Sequence, residues 1–242
     1  MNLREEFGDI DIYVFDQLLR GRLAPGMRVF DAGCGGGRNL VYLLRQGYEV
    51  CGNDANPAAI AQVRAMAAQL ASASAATGRY GETSPKLADV SGASEGGPGR
   101  APDFRVEAIE DTSFPETSAD VVLASAVLHF ARDDAHFAAM LQAMWRVLKP
   151  GGLFFARLAS TIGIEGQVQT LHAGPAAPKL APATGASEGG RYRLPDGSDR
   201  YLVDAATLLD WTARLGGDLL DPIKTTVVHD QRSMTTWVAR RR

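Results

Sequence analysis

Short apolar runs alternate along most of this chain with stretches whose apolar residues recur at helical spacing. The short runs predict buried β-strands, and the helical spacing predicts amphipathic helices. The predicted strands are Met27–Asp31, Tyr48–Gly52, Phe104–Ala108, Ala119–Ala124 and Leu153–Leu158. The predicted helices are Arg38–Gln46, one that Asn56 caps and Pro57 opens, Asp133–Leu148 and Asp204–Leu215. Strands that alternate with helices indicate a parallel, doubly wound sheet.

The chain closes with two further β-type runs, Lys224–Val228 and Thr235–Ala239, which a short turn at Asp230 separates. Strands that so tight a turn joins must run antiparallel. We therefore predict a Rossmann-like α/β fold. Its sheet would be doubly wound, mostly parallel and seven-stranded, with an antiparallel C-terminal hairpin and helices on both faces.

Two stretches rich in Ala, Gly, Ser and Pro interrupt this pattern, and each contains the hexapeptide GASEGG. Neither stretch presents an apolar face whose burial could offset the entropy lost on ordering. We therefore predict a single domain over residues 1–242, with flexible insertions at about 71–102 and 173–190.

Composition narrows the class of protein. Hydrophobic residues make up 45% of the 242 residues, which suits a folded core. The net charge of -3 disfavours nucleic acid as a partner, because phosphate binding needs a basic face. Cys34 and Cys51 match no zinc or disulfide pattern, so no metal is expected. The chain shows no signal peptide and no run long enough to span a membrane, and we expect a cytoplasmic protein whose oligomeric state stays open.

The segment FDAGCGGGRN follows the first predicted strand, at the edge of the sheet where such folds bind ligands. Its glycine spacing fits neither the dinucleotide fingerprint GxGxxG nor a P-loop. Asp31 points into the same crevice, where a carboxylate would repel a pyrophosphate. It would attract a cation, such as the amino group or sulfonium of S-adenosylmethionine. The loop therefore suits a nucleoside without phosphates.

The pattern Asp31-x-Gly33-x-Gly35-x-Gly37 resembles the motif of the class I S-adenosylmethionine-dependent methyltransferases. Asp54, at the end of the second strand, extends the resemblance. So do the segments FPETSADVVLASAVLHF and WRVLKPGGLFFARL, which look like the family's fourth strand and its turn into the fifth strand. The run GRNLVYLLRQGYEV is similar to the tellurite-resistance and thiopurine methyltransferase branch, which acts on small, soft nucleophiles. The resemblance implies a methyltransferase whose cofactor is S-adenosyl-L-methionine.

The resemblance also implies which residues hold the cofactor. Asp31 and the glycine loop would hold the methionine end of the cofactor. Asp54, with Ala55 beside it, would hold the ribose. A carboxylate can accept from both ribose hydroxyls. Ser125, at the end of the fourth strand, would lie beside the transferring methyl group.

The adenine position departs from the family pattern. Ala108 stands where the family often has an adenine-binding aspartate. That role could pass to Glu107 or Glu110, or to the backbone of Ile109.

Three residues are candidates for catalysis. His129 follows the fourth strand and could act as a general base, or it could position a loop. Tyr13 lies on an N-terminal helix that in the family often closes over the cofactor. Arg157 ends the fifth strand, and the segment RYRLPDGSDRY adds further arginines that could bind an anionic substrate or balance neighbouring acids.

We therefore expect a methyltransferase that acts on a small molecule, chiefly by aligning the acceptor with the sulfonium. One alternative is a non-catalytic S-adenosylmethionine-binding protein. Another is a methyltransferase acting on RNA or protein, but the acidic balance disfavours RNA. In addition, no NPPY-like acceptor motif occurs at Ala124–Val127.

Overall fold

The computed structural model describes residues 2–77, 101–171 and 189–242. The helices in these ranges are α1 (Leu3–Phe7), α2 (Ile12–Leu19), α3 (Val41–Arg45), α4 (Pro57–Thr77), α5 (Asp134–Val147) and α6 (Ala205–Arg214). The strands are β1 (Arg28–Ala32), β2 (Glu49–Asp54), β3 (Asp103–Val106), β4 (Ala119–Ser125), β5 (Leu148–Ala159), β6 (Gln169–Thr170), β7 (Gly190–Arg193), β8 (Asp199–Leu202), β9 (Gly217–Leu219), β10 (Lys224–Val228) and β11 (Arg232–Arg241). Within these ranges, no helix combines the length and the apolar character needed to cross a bilayer.

The main sheet has the strand order β10-β11-β5-β4-β1-β2-β3. Neighbours from β5 to β3 pair in parallel, whereas β11 pairs antiparallel with both β5 and β10. The predicted fold class is therefore confirmed. The strand number needs a correction, because Gly217–Leu219 adds β9 to the edge of β11 and makes the sheet eight-stranded.

A second, three-stranded sheet in the order β6-β7-β8 was not predicted. Its strands are short and polar, so they lack the apolar alternation that predicts a strand. The arginine-rich segment RYRLPDGSDRY forms the β7–β8 hairpin. The hydroxyl of Tyr201 on β8 donates to Asp134 at 2.6 Å, and its ring stacks on Phe137. These contacts fix the small sheet against α5, and a bridge between Ser160 and Val203 joins the residues that follow β5 and β8.

The bounds of the predicted insertions change where the structure describes them. Helix α4 continues to Thr77, past the expected start of the first insertion at about residue 71. The reason is that alanine favours the helix even where it offers no apolar stripe. At the second insertion, β7 already begins at Gly190. Residues 78–100 and 172–188 lie outside the described residues, so the flexible insertions and the single domain stay predictions.

The sheet buries apolar side chains on both of its faces. Phe30 and Val29, neighbours on β1, lie in the two separate clusters and are both fully buried. At the N-terminus, the single predicted helix is divided into α1 and α2. The division falls between Gly8, which ends α1, and Asp11, whose carboxylate caps α2 by accepting from the N–H of Tyr13 at 2.9 Å.

Candidate functional site

The glycine loop is held in place by the last two residues of β2. Asp54 Oδ2 accepts from the N–H of Gly35 at 3.0 Å, and Asn53 Oδ1 accepts from the N–H of Gly33 at 3.4 Å. Asn53 Nδ2 also donates to the carbonyl of Ala108 at 3.2 Å. Sequence reasoning missed Asn53, whose signal was a polar residue inside an apolar strand. One fully buried amide thus joins the loops that follow β1 and β3.

The loop requires glycine because its φ angles are positive and because, at two positions, a Cβ would collide with a neighbouring side chain. Gly33 and Gly37 have φ angles of 69° and 85°, and a Cβ on Gly33 would lie 2.5 Å from Val127 Cγ1. A Cβ on Gly37 would lie 2.6 Å from Met66 Cε. At Gly35, with a φ of 53°, a Cβ would meet nothing within 4 Å. The outer side of the loop is therefore an open cradle of backbone groups.

Asp31 is buried at the floor of this cradle. Its side chain carries an oxygen, Oδ2, that has no hydrogen-bond partner among the described residues. Burial raises the pKa of Asp31 to about 7, a shift that Arg38 opposes and Asp54 reinforces. An orphaned carboxylate oxygen is costly unless a ligand satisfies it. The buried acid and the open glycine loop together fit a cationic nucleoside such as S-adenosylmethionine.

The thiol within the loop offers no nucleophile. Cys34 is buried, and its burial, with Asp31 and Asp54 nearby, holds the pKa of the thiol far above its usual range. A thiolate is the reactive form of cysteine. Cys34 is therefore a small packing residue.

A cleft of about 250 Å³ extends from the glycine loop toward α5. It is lined by Gly33, Asp54, Ala55, Ala108, Ile109, Glu110, Val127, Phe130, Arg132, His136 and Met140. Glu107 does not line it, because its carboxylate accepts from both the backbone N–H and the hydroxyl of Ser113. Of the two acids considered for the missing adenine contact, Glu110 is thus the one that faces the cleft.

His136, which the sequence analysis did not single out, faces Glu110 across this cleft. Its Nε2 lies 2.8 Å from Glu110 Oε1, and its Nδ1 accepts from the backbone N–H of Arg132 at 3.0 Å. The bond from Arg132 to Nδ1 fixes the ring so that Nε2 lies beside the Glu110 carboxylate, although the two atoms form no well-aligned hydrogen bond. The histidine ring and the Glu110 carboxylate therefore lie in contact at the wall of the cleft.

On the other side of the loop, Asp11 gathers three polar side chains. Its side chain is fully inaccessible to solvent. Asp11 Oδ2 accepts from Ser125 Oγ at 2.9 Å and from Arg157 Nη1 at 3.1 Å, and Arg38 Nη2 lies 3.7 Å away. Arg38 also donates to Ser125 Oγ at 2.8 Å. Ser125 thus belongs to a network between the glycine loop and the N-terminal segment.

Tyr13 and Arg157 are brought together as a stacked pair. The Arg157 guanidinium lies 5.2 Å from the centre of the Tyr13 ring, and the Lys224 ammonium lies 5.1 Å from it. The Tyr13 hydroxyl shares a hydrogen bond of 2.6 Å with Thr226 Oγ1 on β10. The N-terminal segment is therefore fastened to the far edge of the sheet, across the crevice.

His129 lies nearby but is ill suited to accept a proton. It is 7% exposed, and its Nδ1 accepts from the backbone N–H of Ala159 at 3.3 Å. Burial, with the charges of Arg200 and Arg157, lowers the pKa of His129 to about 4. The ring is therefore neutral at ordinary pH and carries its proton on Nε2. In that form Nε2 is a hydrogen-bond donor and not an acceptor.

The backbone between Ser125 and His129 is strained at one point. Ala126 has a φ of 65°, a conformation that a non-glycine residue adopts at a cost on the order of 1 kcal/mol. Its N–H donates to the carbonyl of Arg157 at 2.7 Å. This bond sets the turn that places Ser125 and Val127 on the ligand side of β4.

Matches to known proteins agree with this arrangement. A family model described as a methyltransferase domain matches residues 30–156, more than half of the chain. An uncharacterized methyltransferase of Synechocystis sp. is 31% identical over 132 residues, which make up 54% of this chain and 47% of that protein. The match therefore spans about half the length of this curated relative.

Solved structures share the fold over nearly the whole chain. An S-adenosylmethionine-dependent methyltransferase of Methanosarcina mazei has a TM-score of 0.60 and 20% identity, covering 93% of this chain and 96% of that one. The 1,6-didemethyltoxoflavin-N1-methyltransferase of Burkholderia thailandensis has a TM-score of 0.59 and 16% identity, and the match covers 99% of this chain and 81% of that one. Magnesium protoporphyrin IX methyltransferase of Synechocystis has a TM-score of 0.59 and 17% identity, and the match covers 96% of this chain and 81% of that one. At identities this low, the likeness establishes the fold.

Proposed function

This chain belongs to the methyltransferase-domain family, and from that premise we propose that it methylates a small molecule. S-adenosylmethionine is the cofactor, as the glycine loop predicted. The observation that carries the proposal is Asp31, a buried carboxylate with an unpartnered oxygen beneath an open glycine loop.

The residues that would hold the cofactor lie along one crevice. Asp31 and the glycine loop hold the methionine end. Asp54 is proposed for the ribose: each of its oxygens accepts one backbone N–H, from Gly35 and from Asn56, and retains capacity for a hydroxyl. Glu110 and the backbone of Ile109 are proposed for the adenine. When bound, the cofactor supplies a methyl group on an electrophilic sulfonium.

The chain's own residues support catalysis by alignment. A neutral His129 whose Nδ1 is already engaged can donate from Nε2, but it removes no proton from the acceptor. Its proposed role is therefore to orient the acceptor. Tyr13 and Arg157 are proposed to form the wall against which the acceptor rests, under an N-terminal segment that excludes water.

Two considerations favour a small acceptor. The N-terminal segment is bonded to β10 and the small β6-β7-β8 sheet to α5, and elements on both sides of the acceptor region would limit the size of the acceptor. Two proteins of the same fold carry names with small-molecule acceptors, 1,6-didemethyltoxoflavin and magnesium protoporphyrin IX. The likeness of GRNLVYLLRQGYEV to the tellurite-resistance and thiopurine methyltransferase branch further suggests a soft nucleophile.

The proposal is tested by titrating the protein with S-adenosylmethionine and by counting S-adenosylhomocysteine released over a panel of small thiols, amines, phenols and carboxylates. Saturable binding with turnover of at least one panel member supports it. Binding without turnover on the panel, but with turnover on RNA or protein extracts, would reassign the acceptor class. Binding without any turnover would favour a non-catalytic binding protein.

A further inference from the structure

The arginines of the β7–β8 hairpin, which sequence alone left between two roles, divide into two kinds. Arg193 forms a two-pronged ion pair with Asp199, with distances of 2.8 and 3.1 Å, on the exposed side of the hairpin. Arg200 instead lies over the Phe130 ring, 5.0 Å from its centre. Among the described residues, no carboxylate lies within 4.0 Å of its guanidinium. Arg193 thus pairs directly with an acid. Arg200 donates to the backbone carbonyl of Asp199 at 2.8 Å, and its charge lowers the pKa of Asp196 and Asp199, but its guanidinium lies over Phe130 and not against either carboxylate.

Arg157 meets the same crevice from the end of β5. Its Nη1 donates to Asp11, but its Nε is buried and has no hydrogen-bond partner within the described ranges. Buried donors are rarely left unpaired, and the guanidinium edge matches an oxyanion with two parallel hydrogen bonds. Arg157 therefore has one satisfied arm and one donor that still lacks an acceptor.

Two guanidinium groups lie near His129. Arg200 lies over the Phe130 ring, whose centre is 4.6 Å from that of the His129 ring, and His129 accepts from the backbone of Ala159, two residues after Arg157 on β5. The charges of both arginines act on the His129 ring. Asp11 is shared between Arg157 and Arg38, so it cannot neutralise both. The imidazole itself, being neutral, contributes a further N–H donor. The acceptor side of the crevice is therefore set up to receive an anion.

Phe130 adds an apolar surface to this charged site. Its ring is 56% exposed and borders both Arg200 and the cleft of the cofactor. A large aromatic side chain left this exposed beside a guanidinium group is typical of a ligand-binding surface. It would suit a planar body that carries the anionic group.

We infer that the methyl acceptor is a planar small molecule bearing an oxyanion, a carboxylate or a phosphate, which Arg157 and Arg200 bind beside His129 and Phe130. The inference rests on the proposed function. It restricts the acceptor to one chemical class and assigns Arg200, on the small second sheet, as a specificity-determining residue.

The test uses the full chain saturated with S-adenosylhomocysteine and calorimetric titration with benzoate, phenyl phosphate and the neutral analogue benzamide. We expect at least one of the two anions to bind about tenfold more tightly than benzamide, as charge-assisted hydrogen bonds predict. The anion that binds more tightly identifies the group as carboxylate or phosphate.

Two variants and one control locate the effect. Arg200→Gln, and Arg157→Lys, which keeps the charge but loses the planar fork, should bring anion and benzamide affinities to within about threefold. Arg193→Gln, on the same hairpin, should leave the preference unchanged. Binding of S-adenosylhomocysteine should persist in all three, so that failure of the anion site is distinguished from failure of the cofactor site. Equal affinity for anions and benzamide, no saturable anion binding, or a preference that survives Arg200→Gln would overturn the inference.

Discussion

The affinity for S-adenosylmethionine should rise with pH as Asp31 loses its proton. Burial raises the pKa of this carboxyl from 3.8 to about 7, so below about pH 7 the free protein holds it neutral. A cationic ligand pairs with the ionised form only, and binding at lower pH must therefore expel a proton. Binding should weaken as pH falls below about 7 and level off above it.

The magnitude follows from the same shift. Each pH unit below the pKa lowers the ionised fraction about tenfold, so the dissociation constant at about pH 5 should be up to about a hundredfold weaker than on the plateau. The free protein should show the opposite trend in stability. Asp31 ionises at 3.8 when unfolded and at about 7 when folded, so unfolding becomes easier as pH rises through that window. Over that window the loss is at most about 4 kcal/mol.

The assay is calorimetric titration between about pH 5 and about pH 9 in two buffers of different ionisation enthalpy, which reports the protons released on binding. Wild type should release about one proton at the acidic end and almost none on the plateau. Asp31→Asn should bind weakly, with a dissociation constant independent of pH. Glu107→Gln, whose carboxylate faces Ser113 and not the cleft, is the matched control and should behave as wild type. A flat profile in wild type, or an unchanged slope in Asp31→Asn, would refute the reasoning.

Four further results are expected. In calorimetric titration, Asp54→Ala should weaken S-adenosylmethionine binding at least tenfold, since two hydroxyls lose a charged acceptor worth about 1.5–3 kcal/mol each; an unchanged constant would remove the ribose assignment. His129→Gln should keep most of the turnover, and the pH profile of wild-type turnover should show no rise near pH 6.5, because the pKa of His129 is about 4. A hundredfold loss of turnover in the variant would instead mean that His129 acts as a general base. Glu110→Ala should weaken adenosine binding severalfold but leave methionine binding unchanged, as competition titrations would show. Replacing residues 78–100 by a short Gly-Ser turn should leave the melting temperature, measured by circular dichroism, nearly unchanged; a large drop would mean that this segment packs.

The parts of the fold that could be predicted are those in which burial dictates residue type. β1 and β4 are buried along most of their length, and such apolar runs predict central parallel strands. Because ligands bind at the carboxyl ends of these strands, the sequence alone predicts that acids near the ends of β1 and β2 lie beside the glycine loop. Asp31 and Asp54 indeed lie on either side of the glycine loop.

The missed parts depend on contacts between residues far apart in the chain. The small sheet has polar strands, and its place is set by Tyr201, which reaches Asp134 and Phe137 on α5. His136 looks like a surface residue in the first turn of a helix until its ring meets Glu110. Arg38 follows the glycines as an ordinary polar residue, and only the fold brings it to Ser125. No periodicity in the sequence encodes these pairings.

Asp11 explains why the two sides of the crevice act as one site. Its carboxylate is inaccessible to solvent, and a charge so buried persists only with close partners. Those partners are Arg38, which follows the glycine loop, Ser125 at the end of β4, and Arg157 on β5. The N-terminal segment is therefore tied to the glycine-loop side of the crevice and to the ends of β4 and β5 at the same point. An anion bound to the free donor of Arg157 would complete the neutralisation that Asp11 begins, because one carboxylate cannot balance two guanidinium groups.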